Sequence, residues 1–114
     1  MKKVLFYVFL IFQLIPIGSA FASDHLGKVS RLHVRDEDGL IWVILEGERT
    51  ANRPNCATNV YFVIKNENSP AGKRQLAMLM MAQASNKLVF IEGANTCNRW
   101  GDGEDISIVS IRKN

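Results

Sequence analysis

The sequence predicts a small, mainly β domain with one helix between its third and fourth strands. Short apolar segments rich in β-branched and aromatic residues recur along the chain, and turns containing Gly, Asn or Asp separate them. One segment, Lys73–Ser85, changes to helical spacing and to Ala, Leu and Met, which favour helices. The chain that follows the N-terminal leader has the length of one domain.

The first 22 residues have the organisation of a secretory signal peptide. Two lysines precede an apolar run over 4–17, and Ala20 and Ala22 are small residues of the kind found at a cleavage site. A run of this length is short for a membrane-spanning helix, so we favour cleavage after Ala22 over a retained anchor. We therefore expect a secreted or periplasmic protein with no stable membrane span, in which 23–114 form a single domain.

The charge of the expected mature chain excludes one class of partner. The full sequence has 14 Lys and Arg residues and 11 Asp and Glu residues. Removing Lys2 and Lys3 with the leader leaves 12 basic against 11 acidic residues, a net charge of +1. Because binding to nucleic acid or to an anionic membrane surface relies on a basic excess, we expect neither partner.

Two cysteines, Cys56 and Cys97, remain in the expected mature chain. In an exported protein such a pair is expected to form a disulfide, which compensates for the thin core of a small domain. Two free thiols or a metal site are the alternatives. A zinc site is disfavoured, because His25 and His33 do not have a spacing typical of zinc ligands.

The first two predicted strands form a hairpin. Gly27–Arg35 places apolar residues among polar ones, with a bend or bulge after Val29. The turn over 36–39 ends in a glycine, which accepts the positive φ expected there. Leu40–Leu45, with the sequence LIWVIL, is a continuous apolar run and predicts a strand that is covered on both faces.

After a loop over 47–55, the chain is predicted to form a third strand, Val60–Lys65. Side chains alternate between the two faces of a strand, so one face should be more buried than the other. The residues expected on one face are Val60, Phe62 and Ile64, and those on the other are Tyr61 and Val63.

The predicted helix has signals at both ends. Ser69 is suited to cap its free N–H groups, Pro70 suits its first position, and Asn86 suits its end. The apolar stripe expected at helical spacing consists of Leu76, Leu79, Met80 and Gln83. The methionines of this segment either pack in the core or form an adaptable surface for association between subunits.

Two further strands complete the predicted domain. Lys87–Glu92 is the fourth strand, which Gly93 ends, and Ile106–Ile111 alternates as the fifth. The order strand, strand, strand, helix, strand, strand is that of an OB-fold-like five-stranded barrel. A generic α+β sandwich is the alternative architecture.

The sequence contains no arrangement of residues typical of catalysis. His25 and His33 lie in no recognisable nucleophile–base motif, and Gly-rich phosphate loops and metalloprotease motifs are missing. The carboxylates that follow Trp100 do not form the ladder of oxygen ligands that an EF-hand requires. We therefore expect a protein that is not an enzyme and that has no catalytic residue, metal or cofactor.

The segment over 95–106, NTCNRWGDGEDI, allows two interpretations. In the first it is structural: Cys97 ties the loop to Cys56, and Trp100 covers one end of the barrel. In the second it is a ligand-binding corner, in which an aromatic face and neighbouring polar groups bind a sugar ring. OB-folds bind oligosaccharides as well as oligonucleotides. The binding residues of the second interpretation are Trp100, Arg99, Asn98 and Asp102.

The leader, the order of elements and the cysteine pair together resemble the small secreted B subunits of bacterial AB-type toxins, in particular the B subunit of subtilase cytotoxin. The matching segments are GKVSRLHV, CATNVYFVIK, KRQLAMLMMAQASNK, LVFIEG and CNRW. The chain also resembles other short exported bacterial proteins that share the pattern G-x-x-x-C-x-x-W, followed by acidic residues and an I-x-I strand.

The resemblance to toxin subunits implies an OB-fold, a ring-shaped homopentamer with its helices toward the pore, and recognition of cell-surface glycans. The chain is shorter than those subunits, and none of their sugar-binding residues is placed on it. We therefore expect an exported, non-catalytic binding module that forms a homo-oligomer and binds a cell-surface or envelope glycan. The alternative is an envelope structural or interaction protein, or an accessory subunit or inhibitor of an exported enzyme.

Overall fold

The structure, a computed structural model, describes residues 23–49 and 52–114, so the predicted signal peptide lies outside the described residues. No helix within these ranges has the length and apolar character needed to cross a membrane. The order of elements is as predicted. In chain order they are β1 (Asp24–Val34), β2 (Ile41–Leu45), β3 (Phe62–Val63), the helix α1 (Pro70–Ser85), β4 (Leu88–Gly93) and β5 (Glu104–Arg112).

The five strands close into a barrel in the order β1-β2-β3-β5-β4. The first part of β1, over 24–28, pairs with β4, and its second part, from Val29 onward, pairs with β2. The register shifts between Val29 and Arg31, which confirms the predicted bulge. β3 pairs antiparallel with β2 and parallel with β5, and β4 closes the barrel against β5. The predicted OB-fold-like barrel is thus confirmed.

Aliphatic side chains and one aromatic ring fill the core of the barrel. Each contributes roughly 1.5–3 kcal/mol to stability when fully removed from water. The residues with no exposed surface are Val43, Phe62, Val63, Ile64, Leu79, Val89 and Ile91.

Both ends of α1 are as predicted. The Ser69 hydroxyl accepts a hydrogen bond from the Gly72 N–H at 2.9 Å, and Pro70 is the first residue of the helix. Asn86 ends the helix in the left-handed region, with φ of 55°. The helix packs mainly on β1 and β5.

The buried face of α1 differs from the predicted stripe. Leu79 and Ala82 are buried, whereas Met80 is 56 % exposed and Gln83 is exposed. The prediction is wrong at these two residues because the buried face contains Gly72, Leu79 and Ala82, and Met80 and Gln83 each lie one residue beyond it around the helix. A Cβ atom at Gly72 would collide with the backbone carbonyl of Asn66 in the turn before the helix.

The third strand is much shorter than predicted: the regular strand is Phe62–Val63, followed by one hydrogen bond from the Ile64 N–H to the Ile41 carbonyl at 3.0 Å. Val60 is 54 % exposed and does not share the buried face that alternation predicts. The guanidinium of Arg49 donates hydrogen bonds to the carbonyls of Val60 and Tyr61 at 3.3 and 3.5 Å. These carbonyls bind a side chain instead of a strand, so regular pairing begins only at Phe62.

The last strand, β5, also departs from simple alternation. Ile106 and Val109 are buried, while Ile108 is 47 % exposed. The ladder with β4 contains an irregularity at which Ser107 is the extra residue. A bulge of this kind reverses the faces that later residues occupy, which explains why Ile106 and Ile108 do not share a face.

Cys56 and Cys97 form a disulfide, with their Cα atoms 6.1 Å apart, as predicted. The bridge joins the segment before β3 to the loop between β4 and β5. The disulfide therefore links the two segments that lead into the parallel strands β3 and β5.

Candidate binding surface

The loop between β4 and β5 is anchored by Asp105, a residue of β5. Asp105 is fully buried and accepts hydrogen bonds from the Thr96 hydroxyl at 2.6 Å and from the N–H groups of Asn98 and Arg99 at 2.9 and 3.2 Å. Burial of a carboxylate is unfavourable unless donors satisfy its oxygen atoms, and three donors do so here. Asp105 therefore fixes the backbone that leads to Trp100.

Glu104, which precedes Asp105, is the centre of a second buried cluster. Its carboxylate accepts hydrogen bonds from the Ser23 hydroxyl, from the Arg49 guanidinium, and from the Asn95 N–H at 2.9 Å. Ser23 and Glu104 are fully buried, and the Arg49 side chain is 3 % exposed. Three segments that are distant in the sequence thus meet on one carboxylate.

The Arg49 guanidinium is held between a carboxylate and an aromatic ring. It pairs with Glu104 and lies 3.7 Å from the centre of the Phe62 ring. Desolvation lowers the pKa of Arg49, and the opposite charge of Glu104 works against that shift. The ion pair and the ring face replace the water that the guanidinium loses on burial.

Three aromatic rings form a row on the outer face of the barrel, and a fourth ring, Trp100, lies near its end. His33 and Trp42 are opposite each other in the β1–β2 ladder, and their rings stack with centroids 4.7 Å apart. The Tyr61 ring lies 6.4 Å from the Trp42 ring, and Trp100 is two residues before Asp102, which binds the Tyr61 hydroxyl. We call these four aromatic residues the aromatic stripe. At its end, the Arg35 guanidinium lies 4.5 Å from the centre of the Trp100 ring.

The aromatic stripe is partly open to solvent. Trp100 is 37 % exposed, and the other three rings are half-buried. Alternation along β2 explains the position of Trp42, because Ile41 and Val43 on either side of it point into the core. The stripe therefore presents flat aromatic surface on a rigid sheet.

Asp102 supports the aromatic stripe from the loop. Its carboxylate accepts hydrogen bonds from the Tyr61 hydroxyl and from the Asn59 amide, the latter at 2.7 Å. Desolvation, followed by the hydrogen bond to Asp102 and its charge, raises the pKa of Tyr61 to about 12. The neighbouring Trp100 and Asn59 side chains act in the opposite direction. The Tyr61 hydroxyl is thus held by the loop between β4 and β5.

We expect the folded protein to keep the Tyr61 phenol protonated up to a pH near 12, whereas an ordinary tyrosine ionises near 10. In a Tyr7→Phe background Tyr61 is the only tyrosine, so ultraviolet absorbance reports its ionisation. The unfolded state releases this proton near pH 10 and the folded state near pH 12. The contribution of the protonated phenol to the free energy of unfolding is therefore lost as the pH rises from about 10 to about 12.

The Asp102→Asn variant should lower the apparent pKa of Tyr61 toward its ordinary value, because it removes a charge that opposes ionisation. The Asp36→Asn variant, an exposed carboxylate of the β1–β2 turn, is the matched control and should leave the pKa unchanged. Circular dichroism in the near ultraviolet verifies that the protein is folded at each pH. Ionisation near pH 10 in the folded protein would contradict the proposed Tyr61–Asp102 contact.

Arg99 is directed into a charged cluster beside the stripe. Its guanidinium donates to the Glu67 carboxylate at 2.9 and 3.1 Å and to the Asp38 carbonyl at 3.1 Å. Arg35 donates to the Asp38 carboxylate at 2.6 and 3.0 Å. The hydrogen bond from Arg35 is the main cause that lowers the pKa of Asp38, and the one from Arg99 lowers that of Glu67. The cluster joins the β1–β2 turn to the loop before β5.

The structure gives the four predicted binding residues different surroundings. Trp100 belongs to the aromatic stripe, and Asp102 supports the stripe through Tyr61. Arg99 is engaged in the charged cluster, and Asn98 is exposed, with only its backbone N–H bound within the loop. The predicted corner is therefore one end of a longer surface, and its role in binding stays a prediction.

The other rings of the stripe, His33, Trp42 and Tyr61, are not among the predicted binding residues. The prediction that β2 is covered on both faces is wrong, because Trp42 and Ile44 are only half-buried. The signal that was available is the turn over 36–39: His33 and Trp42 are equally far from its centre, so a hairpin places them opposite each other. The position of Tyr61 follows from tertiary contacts alone.

Comparison of the chain with protein-family models, with curated proteins and with solved structures found no match. The fold and surface define the class of protein: an OB-fold-like five-stranded barrel with an aromatic stripe on its outer face. The resemblance to toxin B subunits stays a prediction that rests on the sequence layout.

Proposed function

We propose that this protein is an exported, non-catalytic binding module that recognises glycans through the aromatic stripe. The observation that carries the proposal is the row of three rings, His33, Trp42 and Tyr61, with the exposed Trp100 near its end. OB-fold barrels bind oligosaccharides and oligonucleotides on strand faces and adjoining loops. The β1–β2 register and the His33–Trp42 stacking fix two of the rings, and the hydrogen bond to Asp102 fixes Tyr61. Because these side chains are already ordered in the free protein, little conformational entropy is lost on binding.

A sugar ring matches the chemistry of this surface. Its C–H face packs on an aromatic ring, and its hydroxyl groups need polar partners at the rim. Asn98 is exposed beside Trp100 and offers an amide that both donates and accepts. The nearly balanced charge of the expected mature chain supports a glycan over a nucleic acid, whose affinity depends on neutralised phosphates.

The experiment that tests this proposal uses a glycan array followed by fluorescence titration. The chain has two tryptophans, Trp42 and Trp100, and both belong to the stripe, so intrinsic fluorescence reports on this surface. We expect Trp100→Ala to weaken binding of the selected glycan by about tenfold or more, as for a central aromatic contact. Trp42→Phe keeps a ring and should weaken binding less.

The matched control is Leu26→Ala, because Leu26 is also apolar and 53 % exposed but lies in the ladder between β1 and β4. We expect the control to bind as the wild type does. The proposal fails if no glycan binds, or if Trp100→Ala and Leu26→Ala bind equally well.

The homo-oligomer that the toxin-subunit resemblance implies belongs to the same proposal. Met80 and Met81 are 56 % and 58 % exposed on α1, and contact between copies would cover this apolar surface. Several copies in one ring increase the avidity for a surface that displays many glycans. The same methionines support the second candidate function, an envelope interaction protein. A glycan array on which no glycan binds would favour this second candidate.

A further inference from the structure

A groove of about 520 Å³ opens beside the loop between β2 and β3. None of the described residues that line it belongs to the aromatic stripe, so it is a separate surface. The residues that line it include His25, Ile44, Glu48, Arg49, Arg53 and Val60.

Two buried side chains of the groove each carry a nitrogen atom without a hydrogen-bond partner. His25 is 5 % exposed; its Nε2 atom lies 3.0 Å from the Glu46 carbonyl oxygen, and its Nδ1 atom has no partner. The Nε atom of Arg49 has no partner either. Unsatisfied buried polar groups are rare in folded proteins, and these two atoms have almost no exposed surface, so they form a polar layer behind the wall of the groove and do not contact a ligand directly.

The nitrogen atoms of His25 have complementary roles. Burial is the main cause that lowers the pKa of His25, which favours the neutral ring. Because the Nε2–H donates to a carbonyl, the Nδ1 atom of the neutral ring is an acceptor. The Nε–H of Arg49, by contrast, is a donor. The layer behind the wall thus carries both an unpaired acceptor and an unpaired donor.

The rim of the groove carries two opposite charges. Arg53 and Glu48 are exposed, and neither forms an ion pair or hydrogen bond with another described residue. The positive charge of Arg53 contributes, after desolvation, to the lowered pKa of Arg49, so the two guanidinium groups are near each other. A free cation and a free anion therefore face one groove.

We propose that this groove binds a free α-amino acid with an apolar side chain. Arg53 binds the carboxylate, Glu48 binds the ammonium group, and Ile44 and Val60 pack against the side chain. Val60 is 54 % exposed, so the ligand covers apolar surface that is otherwise open to water. A polyanion is disfavoured by Glu48. The proposal goes beyond glycan binding and shares no residue with the stripe, so either proposal can fail alone.

Calorimetric titration of the full chain with three related compounds tests the proposal. Leucine carries both charges, 4-methylpentanoate carries only the carboxylate, and isopentylamine carries only the ammonium group. We expect leucine to bind and each of the other two to bind at least about tenfold more weakly, since each lacks one charged hydrogen bond.

Two variants assign the charges to their residues. Arg53→Gln should weaken leucine binding about tenfold and leave the weak binding of isopentylamine unchanged. Glu48→Gln should weaken leucine binding and leave the weak binding of 4-methylpentanoate unchanged. Arg74→Gln, on the exposed surface of α1, is the matched control and should bind leucine as the wild type does.

Three outcomes would overturn the assignment of this groove. They are the absence of leucine binding, equal affinity for the three compounds, and an equal loss in the Arg53→Gln and Arg74→Gln variants. Since Arg53 and Glu48 are exposed and unpaired, none of these outcomes is explained by unfolding of the variants.

Discussion

Replacing Glu104 by Gln should decrease the free energy of unfolding by roughly 3–5 kcal/mol, the usual effect of removing one partner of a buried ion pair. The substitution keeps the shape of the side chain but leaves Arg49, 3 % exposed, without its counter-charge. It also weakens the contacts to Ser23 and Asn95, so the N-terminal end of β1 and the β4–β5 loop lose their common partner. Urea denaturation followed by circular dichroism measures the change.

The matched control for this prediction is Glu37→Gln in the exposed β1–β2 turn, which we expect to change stability by less than about 0.5 kcal/mol. The double variant Arg49→Met with Glu104→Gln should recover part of the loss, because no unpaired charge is then buried. A loss below about 1 kcal/mol for Glu104→Gln alone would show that Arg49 finds water or another partner.

The Cys56→Ala/Cys97→Ala double variant should lose about 4 kcal/mol of stability in the chain-entropy description of disulfides. The bridge closes a separation of 41 residues, so its removal greatly increases the freedom of the unfolded chain. For a small domain with a total stability of about 5–15 kcal/mol, this is a large fraction. Thermal and urea unfolding measure the loss.

A reductant provides the internal control for the disulfide. It should destabilise the wild type by about as much as the double substitution does, and it should have no effect on the double variant. If the unfolding midpoint of the wild type is the same with and without reductant, the bridge does not constrain the unfolded chain as expected.

The Glu104 and disulfide predictions concern one region for a physical reason. Glu104 and Asp105 pair with Phe62 and Val63 in the parallel β3–β5 ladder, which is only two residues long. Because so short a ladder contributes few backbone hydrogen bonds, other contacts hold the two segments together. Asp102 binds Asn59 and Tyr61, Arg49 joins Glu104 to the Tyr61 carbonyl, and the disulfide adds a covalent link. The same contacts fix the loop that carries Trp100, so stability and the proposed binding surface are coupled.

Local signals allowed much of the fold to be predicted. The caps of α1 at Ser69 and Asn86, the bulge after Val29 and the cysteine pair all depend on residues whose chemistry is legible in the sequence. The same local reasoning was wrong about the buried stripe of α1. The buried face includes Gly72 and Ala82, and a stripe chosen from large apolar residues leaves out such small ones.

The candidate site could be predicted only in part. Trp100 was identified because it stands in a disulfide-tied loop, yet its neighbours His33 and Tyr61 come from other segments. The carboxylates at 104 and 105 were expected to lead into a strand, and their complete burial was not foreseen. Partners such as Arg49 and Ser23 are 55 and 81 residues away from Glu104, beyond the reach of any local pattern.

By itself, the sequence determined the order of strands and helix, the turns and caps, and the pairing of its two cysteines, because each depends on nearby residues or on the chemistry of a single residue type. Tertiary structure alone decided which carboxylates are buried, where β3 begins, and that four aromatic rings form one stripe. These features depend on barrel closure, which brings segments from opposite ends of the chain within hydrogen-bonding and stacking distance.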